Sequence, residues 1–359
     1  MAIATRLTVV GLSAVAVFAG RGSNSADAET VAQFYSGKTI SIITSTGAGG
    51  PFDITARTIA RHMGRHIPGS PLFIIKNMPG GGHTLATNYM ATQAPRDGTT
   101  LATVNNPIPL HQAIGGKGVR YDARKFNWIG TTGISNLLIG VWHTAGIKSF
   151  SDVLSREVVM GATGSGSGNY IYPYALNELL GAKFKIVSGY RSAGEIDLAM
   201  TRGEVQGVAG ISYSGWLRQH PDWFSKKLLV PIAQVGGKRD ADFPDVPLMK
   251  ELATDPDQRE ILSVLSSPVE LGRPFFAPPE VPQDRVVALR KAFMATMKDP
   301  AFIAEAKQQG LDLSPDSGER LTELVAATFK TRPDLLSKVS ALMGGTLPQS
   351  GGSRTKPKN

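Results

Sequence analysis

The chain has 359 residues, of which 42% are hydrophobic, and a formal net charge of +9. This length exceeds the ~100–200 residues of one domain and can bury a full core, which excludes a disordered protein and leads us to expect two lobes. The lack of cysteine excludes disulfides, thiolate metal sites and a thiol nucleophile, and no basic run is interleaved with aromatics, so we expect no nucleic-acid partner.

The N-terminal region has the residue order of a secretory signal peptide. Arg6 precedes an apolar run at 7–20 that is too short to span a bilayer, and small residues lead to Ala26-Asp27-Ala28. We expect residues 1–28 to form a signal peptide that is cleaved after Ala28. No later stretch approaches the ~18 unbroken apolar residues of a membrane helix, so we expect an exported, soluble chain.

Strand-like and helix-like segments alternate in the first half of the chain. Apolar, β-rich runs predict strands at 39–45, 71–78 and 99–105, and the segments between them predict helices at 53–67 and 83–94. Strands separated by single helices are typical of βαβ units, so we expect an α/β fold with mostly parallel sheets. Ligands of such folds bind at the carboxyl ends of the strands.

The second half of the chain repeats this pattern. Two helices are predicted among five strands, and a polar, proline-punctuated stretch follows them. The helices are at 172–181 and 193–203, the strands at 136–143, 158–163, 184–190, 205–212 and 227–235, and the polar stretch at 238–260. Further helices precede a flexible tail at 345–359.

These patterns predict where the chain passes between two lobes. It leaves the first lobe near 138–143 and returns near 270–276. We therefore expect lobe 1 to contain residues 34–138 and 272–340, and lobe 2 to contain residues 139–271. Two crossings of this kind form a hinge beside a cleft between the lobes.

Glycine-rich loops follow three of the predicted strands, at 44–53, 77–84 and 161–170. A helix begins after each loop, so free backbone N–H groups and the helix dipole favour a carboxylate or a phosphate there. The first loop lacks the Lys-Ser/Thr of a Walker loop and does not match G-x-G-x-x-G, which argues against a nucleotide. Asp53 fits a structural helix cap better than a ligand contact. His83 fits a ligand donor or a surface turn residue equally well.

The third loop also suggests a serine hydrolase, because Ser165 and Ser167 offer hydroxyls beside backbone donors. Neither serine has the glycine two positions before it that a G-x-S-x-G elbow requires, and no base can be placed by spacing. An exported serine-dependent hydrolase of a small ester stays as an alternative. A ligand-sensing partner of a signalling receptor is another.

Histidine spacing gives no metal site. His62 and His66 lie four residues apart on a predicted helix, but Arg57, Arg61 and Arg65 surround them and would repel a cation. We therefore interpret this face as a solvated basic surface, and we predict no metal and no cofactor.

Five segments of the chain resemble, in order, the motifs of one receptor family. They are YSGKTISIITSTGAGGPFDITAR (35–57), NMPGGGHTLATNYMATQAPRDGTTLA (77–102), VVMGATGSGSGNY (158–170), VSGYRSAGEIDLAMTRGEVQGV (187–208) and DFPDVPLMKEL (242–252). Together they resemble the extracytoplasmic receptors of tripartite tricarboxylate transporters, the Bug-type solute-binding proteins. The similarity spans about residues 34 to 330.

The resemblance implies a two-lobed fold like that of periplasmic binding proteins, with a hinged cleft between the lobes. It implies a monomeric periplasmic receptor, not an enzyme, that captures a small organic carboxylate and passes it to a two-component integral-membrane permease. This chain has Ser45, Thr46 and Gly47 where the family often has aromatic and proline residues. The resemblance therefore leaves the solute open.

The family's motifs also imply a set of ligand-binding residues and no catalytic residue. In the first lobe the implied residues are Thr46, Gly47, Ala48, Gly49, Gly50, Phe52, Asp53, Gly81, Gly82, His83, Asn105 and Asn106. In the second lobe they are Ser165, Ser167, Gly168, Tyr190 and Ser212. Phe52 or Tyr170 would supply apolar contact, although each fits ordinary packing better.

Overall fold

The computed structural model describes residues 1–2, 29–49, 51–311 and 313–344, so Gly50, the predicted tail and nearly all of the predicted signal peptide lie outside the described residues. The strands are β1 (Thr39–Thr44), β2 (Leu72–Asn77), β3 (Thr100–Thr103), β4 (Asn127–Thr131), β5 (Leu137–Trp142), β6 (Val158–Ala162), β7 (Phe184–Ser188), β8 (Gly207–Ser212), β9 (Leu229–Val235), β10 (Pro274–Ala277) and β11 (Asp316–Ser317). The helices are α1 (Val31–Tyr35), α2 (Pro51–Met63), α3 (Thr84–Thr92), α4 (Ile108–Ala113), α5 (Gly168–Leu180), α6 (Ala193–Thr201), α7 (Tyr213–Gln219), α8 (Pro221–Ser225), α9 (Pro256–Leu271), α10 (Gln283–Thr296), α11 (Pro300–Gln308), α12 (Gly318–Thr328) and α13 (Pro333–Leu342).

The first sheet has six strands in the order β11-β4-β10-β3-β1-β2. β1 pairs in parallel with β2 and β3, as the βαβ pattern predicts. β10 lies between β3 and β4 and is antiparallel to both. Since β3 and β4 both oppose β10, they run in the same direction. The carboxyl ends of β1, β2, β3 and β4 therefore lie at one edge of the sheet.

The second sheet has five strands in the order β7-β6-β8-β5-β9. β6 is parallel to β7 and β8, whereas β5 is antiparallel to β8 and β9. Both sheets are therefore mixed, and each contains the predicted parallel βαβ units. β5 and β10 are the first strands after the two passages between the sheets. Neither is constrained by the crossover connection that makes successive βαβ strands parallel.

The inner strands of the first sheet, β4, β10, β3 and β1, are buried on both faces, whereas the edge strand β2 is largely exposed. In β1, Ile40 and Ile42 pack with Ile59 of α2, while Ile43 packs on the other face with Met90 of α3. Burial on both faces explains why the strand is a nearly unbroken apolar run. Full burial of one isoleucine side chain contributes about 1.5–3 kcal/mol.

Helix α9 is an element that the sequence interpretation missed. Pro256 occupies the first turn, and the Asp255 side chain accepts a hydrogen bond from the Gln258 N–H at the helix start. α9 and the C-terminal helix α13 both bury residues in the hydrophobic cluster of the second sheet. Within the described part of the chain, no helix is both long enough and apolar enough to cross a membrane.

Candidate ligand-binding site

The carboxyl edge of the first sheet brings distant parts of the chain together. Ser45 follows β1, Asn105 lies just after β3, and Thr132 follows β4. Arg273 comes directly before β10, whose first residues pair with the ends of β4 and β3. This edge is the place where ligands bind in open α/β sheets.

The buried side chain of Asp53 fixes the conformation of the first glycine loop. Its carboxylate accepts hydrogen bonds from the Gly49 N–H, Arg57 Nε and Asn77 Nδ2, each at 2.8 Å. Burial alone would raise the pKa of Asp53, but the hydrogen bonds from Arg57, Gly49 and Asn77 outweigh burial and lower this pKa below its ordinary value. Asp53 thus has the structural role favoured above, and it engages the N–H of Gly49.

His83 connects the second glycine loop to the first. Its φ angle is 76°, in the left-handed region that residues other than glycine rarely adopt. The imidazole Nδ1 lies 3.1 Å from Ser45 Oγ and 3.2 Å from the Ser45 carbonyl oxygen. Ser45 Oγ in turn accepts from the Asn105 N–H at 3.2 Å. These contacts hold the strained backbone of His83 in place and join the ends of β1 and β3.

Asn105 and Asn106 carry amide groups that the rest of the described chain leaves unused. The Asn106 N–H donates to Asn105 Oδ1 at 3.1 Å. The amide nitrogen of Asn105 and the whole Asn106 carboxamide have no hydrogen bond to another described residue, and both side chains are half-buried. They can therefore donate to a bound molecule.

Buried hydroxyls without partners also gather at this edge. Within the described residues, the buried side-chain atoms that lack a hydrogen-bond partner are Thr46 Oγ1, Thr103 Oγ1, Thr132 Oγ1 and His111 Nδ1. The three threonines lie at or next to the ends of β1, β3 and β4. Folded proteins leave few buried polar atoms unpaired. Their concentration here indicates unused hydrogen-bonding capacity at the carboxyl edge.

The third glycine loop is held by Asn169. The Asn169 Oδ1 atom accepts from the Thr163 N–H at 3.0 Å, from Thr163 Oγ1 at 3.2 Å and from Ser167 Oγ. Ser167 Oγ also contacts the Gly164 carbonyl oxygen. Ser165 is exposed and has no hydrogen bond to another described residue. The loop is thus fixed by neutral groups alone.

Tyr190 lies just after β7, and Ser212 is the last residue of β8. The Tyr190 N–H donates to the Ala162 carbonyl oxygen at 3.3 Å, which brings it to the base of the third loop. Ser212 Oγ lies 2.8 Å from Ser214 Oγ and 3.3 Å from Ser135 Oγ. Since β6, β7 and β8 are parallel, the third loop, Tyr190 and Ser212 share one edge of the second sheet.

A cavity of about 210 Å³, which we call the front cavity, lies between elements of both sheets. The first sheet side contributes Phe52, Asn105 and Asn106, and the second sheet contributes Leu137 and Ser212. Helix α9 contributes Val269, and the segments that pass between the sheets contribute Gly133, Ser135, Gly272 and Arg273. The front cavity therefore combines amide and hydroxyl groups, apolar contacts and one cation.

The front cavity contains some of the predicted site residues and omits others. Phe52, Asn105, Asn106 and Ser212 line it. The other predicted residues do not line it: Thr46, Gly47, Ala48, Gly49, Asp53, Gly81, Gly82, His83, Ser165, Ser167, Gly168 and Tyr190. Gly50 lies outside the described residues. Sequence reasoning missed Ser135, which lies beside the predicted crossing at 138–143, and Arg273, which lies within the predicted crossing at 270–276.

A second cavity lies on the opposite side of the same crossings. It has a volume of about 420 Å³ and contains Ile134, Asn136 and Glu270, together with Arg320 of α12. Successive residues from 133 to 137 thus alternate between the front cavity and this back cavity. A third cavity, of about 540 Å³, is lined by residues that include Phe150, Leu180, Pro231 of β9 and Leu252.

The geometry gives no support to a serine nucleophile. The His83 imidazole contacts Ser45, and His220 Nε2 contacts Asp197 Oδ2 at 3.1 Å. In the described residues no histidine forms a hydrogen bond with Ser165 or Ser167. The hydroxyl of Ser167 is engaged by the loop itself, so neither serine has the base that activation requires.

The arginines on the basic face of α2 are exposed, as predicted, whereas its histidines pack against α11. His62 Nε2 contacts Glu305 Oε2 at 2.6 Å, and His66 Nε2 contacts Asp299 Oδ2 at 2.8 Å, both at α11. Hydrogen bonds from Arg65 and His66 hold the pKa of Asp299 well below its ordinary value. No cluster of three or more potential metal ligands occurs among the described residues.

Comparison with known proteins identifies the family. Residues 55–340 match the tripartite tricarboxylate transporter family receptor, TctC. The chain belongs to the TctC receptor family. The UPF0065 protein in the gbd 5' region of Cupriavidus necator is 25% identical over 334 residues, which are 90% of this chain and 94% of that relative. Members of the TctC family are receptors that bind solutes and are not enzymes.

Solved structures show the same fold. A TctC solute-binding protein from Polaromonas gives a TM-score of 0.67 at 18% identity, covering 84% of this chain and 98% of that chain. MatC from Rhodopseudomonas palustris with bound malate gives a TM-score of 0.56 at 21% identity, covering 83% and 99%. The predicted fold class, that of a periplasmic binding protein, is therefore confirmed, as is the family that the motifs resemble.

Proposed function

We propose that this chain is a periplasmic receptor that binds a small organic carboxylate in the front cavity and delivers it to a two-component integral-membrane permease. Membership of the TctC family supports the permease as a partner. The malate bound in MatC supports a carboxylate as the ligand. The predicted signal peptide at 1–28 supports export to the periplasm.

The composition of the front cavity carries this proposal. Its polar side chains are Asn105, Asn106, Ser135, Ser212 and Arg273, and the described lining residues include no carboxylate. All five side chains can donate hydrogen bonds to an anion. A volume of about 210 Å³ is below the ~300–1,000 Å³ of pockets for drug-sized ligands, so the front cavity suits a molecule of few carbon atoms.

The glycine loops would form the outer walls of the site. We propose that the two lobes, 34–138 with 272–340 and 139–271, close about the crossings in a monomer. Closure would bring the backbone of residues 46–49, 81–83 and 165–168 toward the ligand, together with Tyr190. Removing water in this way would strengthen the contacts between N–H groups and the carboxylate.

Isothermal titration calorimetry of the mature chain, residues 29–359, tests the proposal. Malate, succinate, butyrate and benzoate are the probes, and we expect at least one to bind with a micromolar or lower Kd. Small-angle scattering should show a smaller radius of gyration with that ligand. Absence of heat from all four probes with folded protein would contradict a carboxylate receptor.

Asn106→Ala tests whether the ligand binds in the front cavity. This change removes a carboxamide that has no partner in the described chain, so we expect about tenfold weaker binding and no loss of stability. Gln308→Ala is the control, because it removes an exposed carboxamide on α11. Equal affinities of the two variants for the ligand would show that the ligand does not bind in the front cavity.

A further inference from the structure

The back cavity is larger than the front cavity, and the proposed carboxylate site leaves it unused. Its volume of about 420 Å³ falls within the ~300–1,000 Å³ of pockets for small molecules. The second sheet side contributes the loop after β9, at residues 237–241, and Glu270 of α9. The first sheet side contributes residues 314–316 and α12, and the first crossing contributes Ile134 and Asn136. A molecule in this cavity would therefore contact elements of both sheets.

Buried neutral amides hold the loop after β9 in place. The Gln234 side chain is fully buried, and its Oε1 atom accepts from the Asp240 N–H at 2.9 Å. Asn136 Nδ2 donates to Gln234 Oε1 at 2.8 Å and to the Lys238 carbonyl oxygen at 2.7 Å. The backbone of Lys238 is thus fixed without the help of its own side chain.

Four of the six charged side chains in the back cavity have contacts of their own. Arg239 and Arg320 contact carboxylates that do not line it. Asp240 and Asp316 each accept a hydrogen bond from a backbone N–H one or two residues further along the chain. These contacts take up part of what the four groups could offer to a ligand.

The other two, Lys238 and Glu270, have opposite charges and no partner. Neither the Lys238 ammonium group nor the half-buried Glu270 carboxylate forms a hydrogen bond or an ion pair with a described residue. They lie close together, because a Cβ atom on Gly237 would be 2.3 Å from Glu270 Oε2. Lys250 Nζ donates to the Gly237 carbonyl oxygen at 2.9 Å and forms no ion pair with Glu270. Asn136, which is 7% exposed, adds an Oδ1 atom that accepts no hydrogen bond within the described chain.

An α-amino acid matches this arrangement, because it carries an ammonium group and a carboxylate on one carbon atom. Its ammonium group can donate to Glu270 and to Asn136 Oδ1, and its carboxylate can accept from Lys238. Ile134 and Leu324 offer apolar contact to its side chain. A molecule with one charge would leave either Lys238 or Glu270 unpaired and partly desolvated, which costs affinity.

We propose that the back cavity is a second ligand site, which binds a zwitterionic α-amino acid with an apolar side chain. The residues that line the back cavity and those that line the front cavity are different. The amino acid therefore binds independently of the groups that hold the carboxylate in the proposed receptor site.

Isothermal titration calorimetry of the mature chain, residues 29–359, tests this site. L-Leucine, L-methionine and L-phenylalanine are the probes, and we expect at least one to bind with a micromolar Kd. The amide of that amino acid, in which a neutral carboxamide replaces the carboxylate, should bind at least tenfold more weakly. Glu270→Gln should weaken binding of the amino acid at least tenfold, and Lys238→Ala about threefold, because Lys238 is more exposed.

Glu260→Gln and Asn106→Ala are the controls, and both should leave the Kd for the amino acid unchanged. Glu260 is a half-buried carboxylate of the same helix, α9, that lines neither cavity, and Asn106 belongs to the front cavity. Thermal unfolding checks that each variant folds. If Glu270→Gln does not fold, Lys238→Ala decides the matter, since the loop backbone does not depend on that side chain.

Three results overturn the assignment: no heat from any of the three amino acids, equal affinities for the amino acid and its amide, or an affinity that neither Glu270→Gln nor Lys238→Ala changes. Binding that Asn106→Ala weakens would place the amino acid in the front cavity and would also overturn a second site. None of these results affects the receptor function, which the titrations with malate, succinate, butyrate and benzoate test separately.

Discussion

The first and third glycine loops occupy equivalent positions in the two sheets but are held by different chemistry. Both follow a strand that is central to a parallel βαβ unit, and both precede a 13-residue helix. Asp53 holds the first loop with a buried charge that is paired to Arg57. Asn169 holds the third loop with a neutral carboxamide.

This difference shows what the polar side chains of the loops do. In both loops the side chains that first suggest chemistry bind the loop's own backbone: Asp53 binds the Gly49 N–H, and Ser167 binds the Gly164 carbonyl oxygen. Such side chains fix the conformation of the loop, and most of their hydrogen-bonding capacity is taken by the loop's own backbone. In the proposed site, a ligand would then meet backbone groups and the side chains of neighbouring strand ends, such as Asn106.

Asp53→Ala should have the largest effect on stability. The change removes a buried carboxylate that accepts hydrogen bonds from the Gly49 N–H, Arg57 Nε and Asn77 Nδ2, so we expect a loss of about 2–4 kcal/mol in the free energy of unfolding. Urea unfolding of the ligand-free chain measures it. Asp53→Asn is the control, since it retains one acceptor oxygen and should cost less. A loss below about 1 kcal/mol for Asp53→Ala would contradict the view that this carboxylate holds the first loop.

Asn169→Ala should have a smaller effect, because only neutral groups lose their acceptor. The Thr163 and Ser167 hydroxyls are half-buried and can turn to water. We expect a loss of about 1–2 kcal/mol in the free energy of unfolding, by the same urea measurement. If Asn169→Ala proved as costly as Asp53→Ala, the distinction between a charged and a neutral loop would have no energetic meaning.

The strands could be predicted because their signal is local. β1 and β2 are short apolar runs between turn residues, and they fall where the pattern places them. Helix α9 was missed although Asp255 and Pro256 give a usual start signal. Its later turns contain Pro268 and Ser266, which disfavour a helix locally. Packing of Leu262 and its neighbours on the second sheet overrides that preference.

Part of the candidate site was predicted through the resemblance to the receptor family. Asn105 and Asn106 were named from that resemblance, and their place just after β3 agrees with the rule that ligands bind at the carboxyl ends of the strands. Arg273 was missed because it reaches the site only when β10 inserts between β3 and β4. That pairing joins residues about 170 apart in sequence, and no local sequence pattern predicts it. Ser135 was missed for a similar reason, because it becomes part of the site only when the crossing meets β8.

The two loops should also differ in their response to acid. The pKa of Asp53 is lowered in the folded chain, so its contribution to stability is fully present above the unfolded pKa of about 3.9 and is lost as pH falls through the folded value. We therefore expect the stability difference between wild type and Asp53→Asn to shrink between about pH 5 and pH 2. The difference between wild type and Asn169→Ala should stay constant over the same range. Urea unfolding at several pH values measures both, and parallel curves for the two variants would contradict this assignment of the charge.

Ser165→Ala should have the smallest effect, and it separates the receptor from the hydrolase. Ser165 is exposed and has no hydrogen bond to another described residue, so the free energy of unfolding should change by less than about 0.5 kcal/mol. Since no described histidine pairs with Ser165 or Ser167, we also expect no labelling of the wild-type chain by a fluorophosphonate probe and no hydrolysis of small esters. If the probe labelled the wild-type chain and Ser165→Ala abolished the labelling, a base would have to activate Ser165 although no described histidine contacts it. The third loop would then be a reactive centre and not, as we propose, a wall that approaches a bound anion.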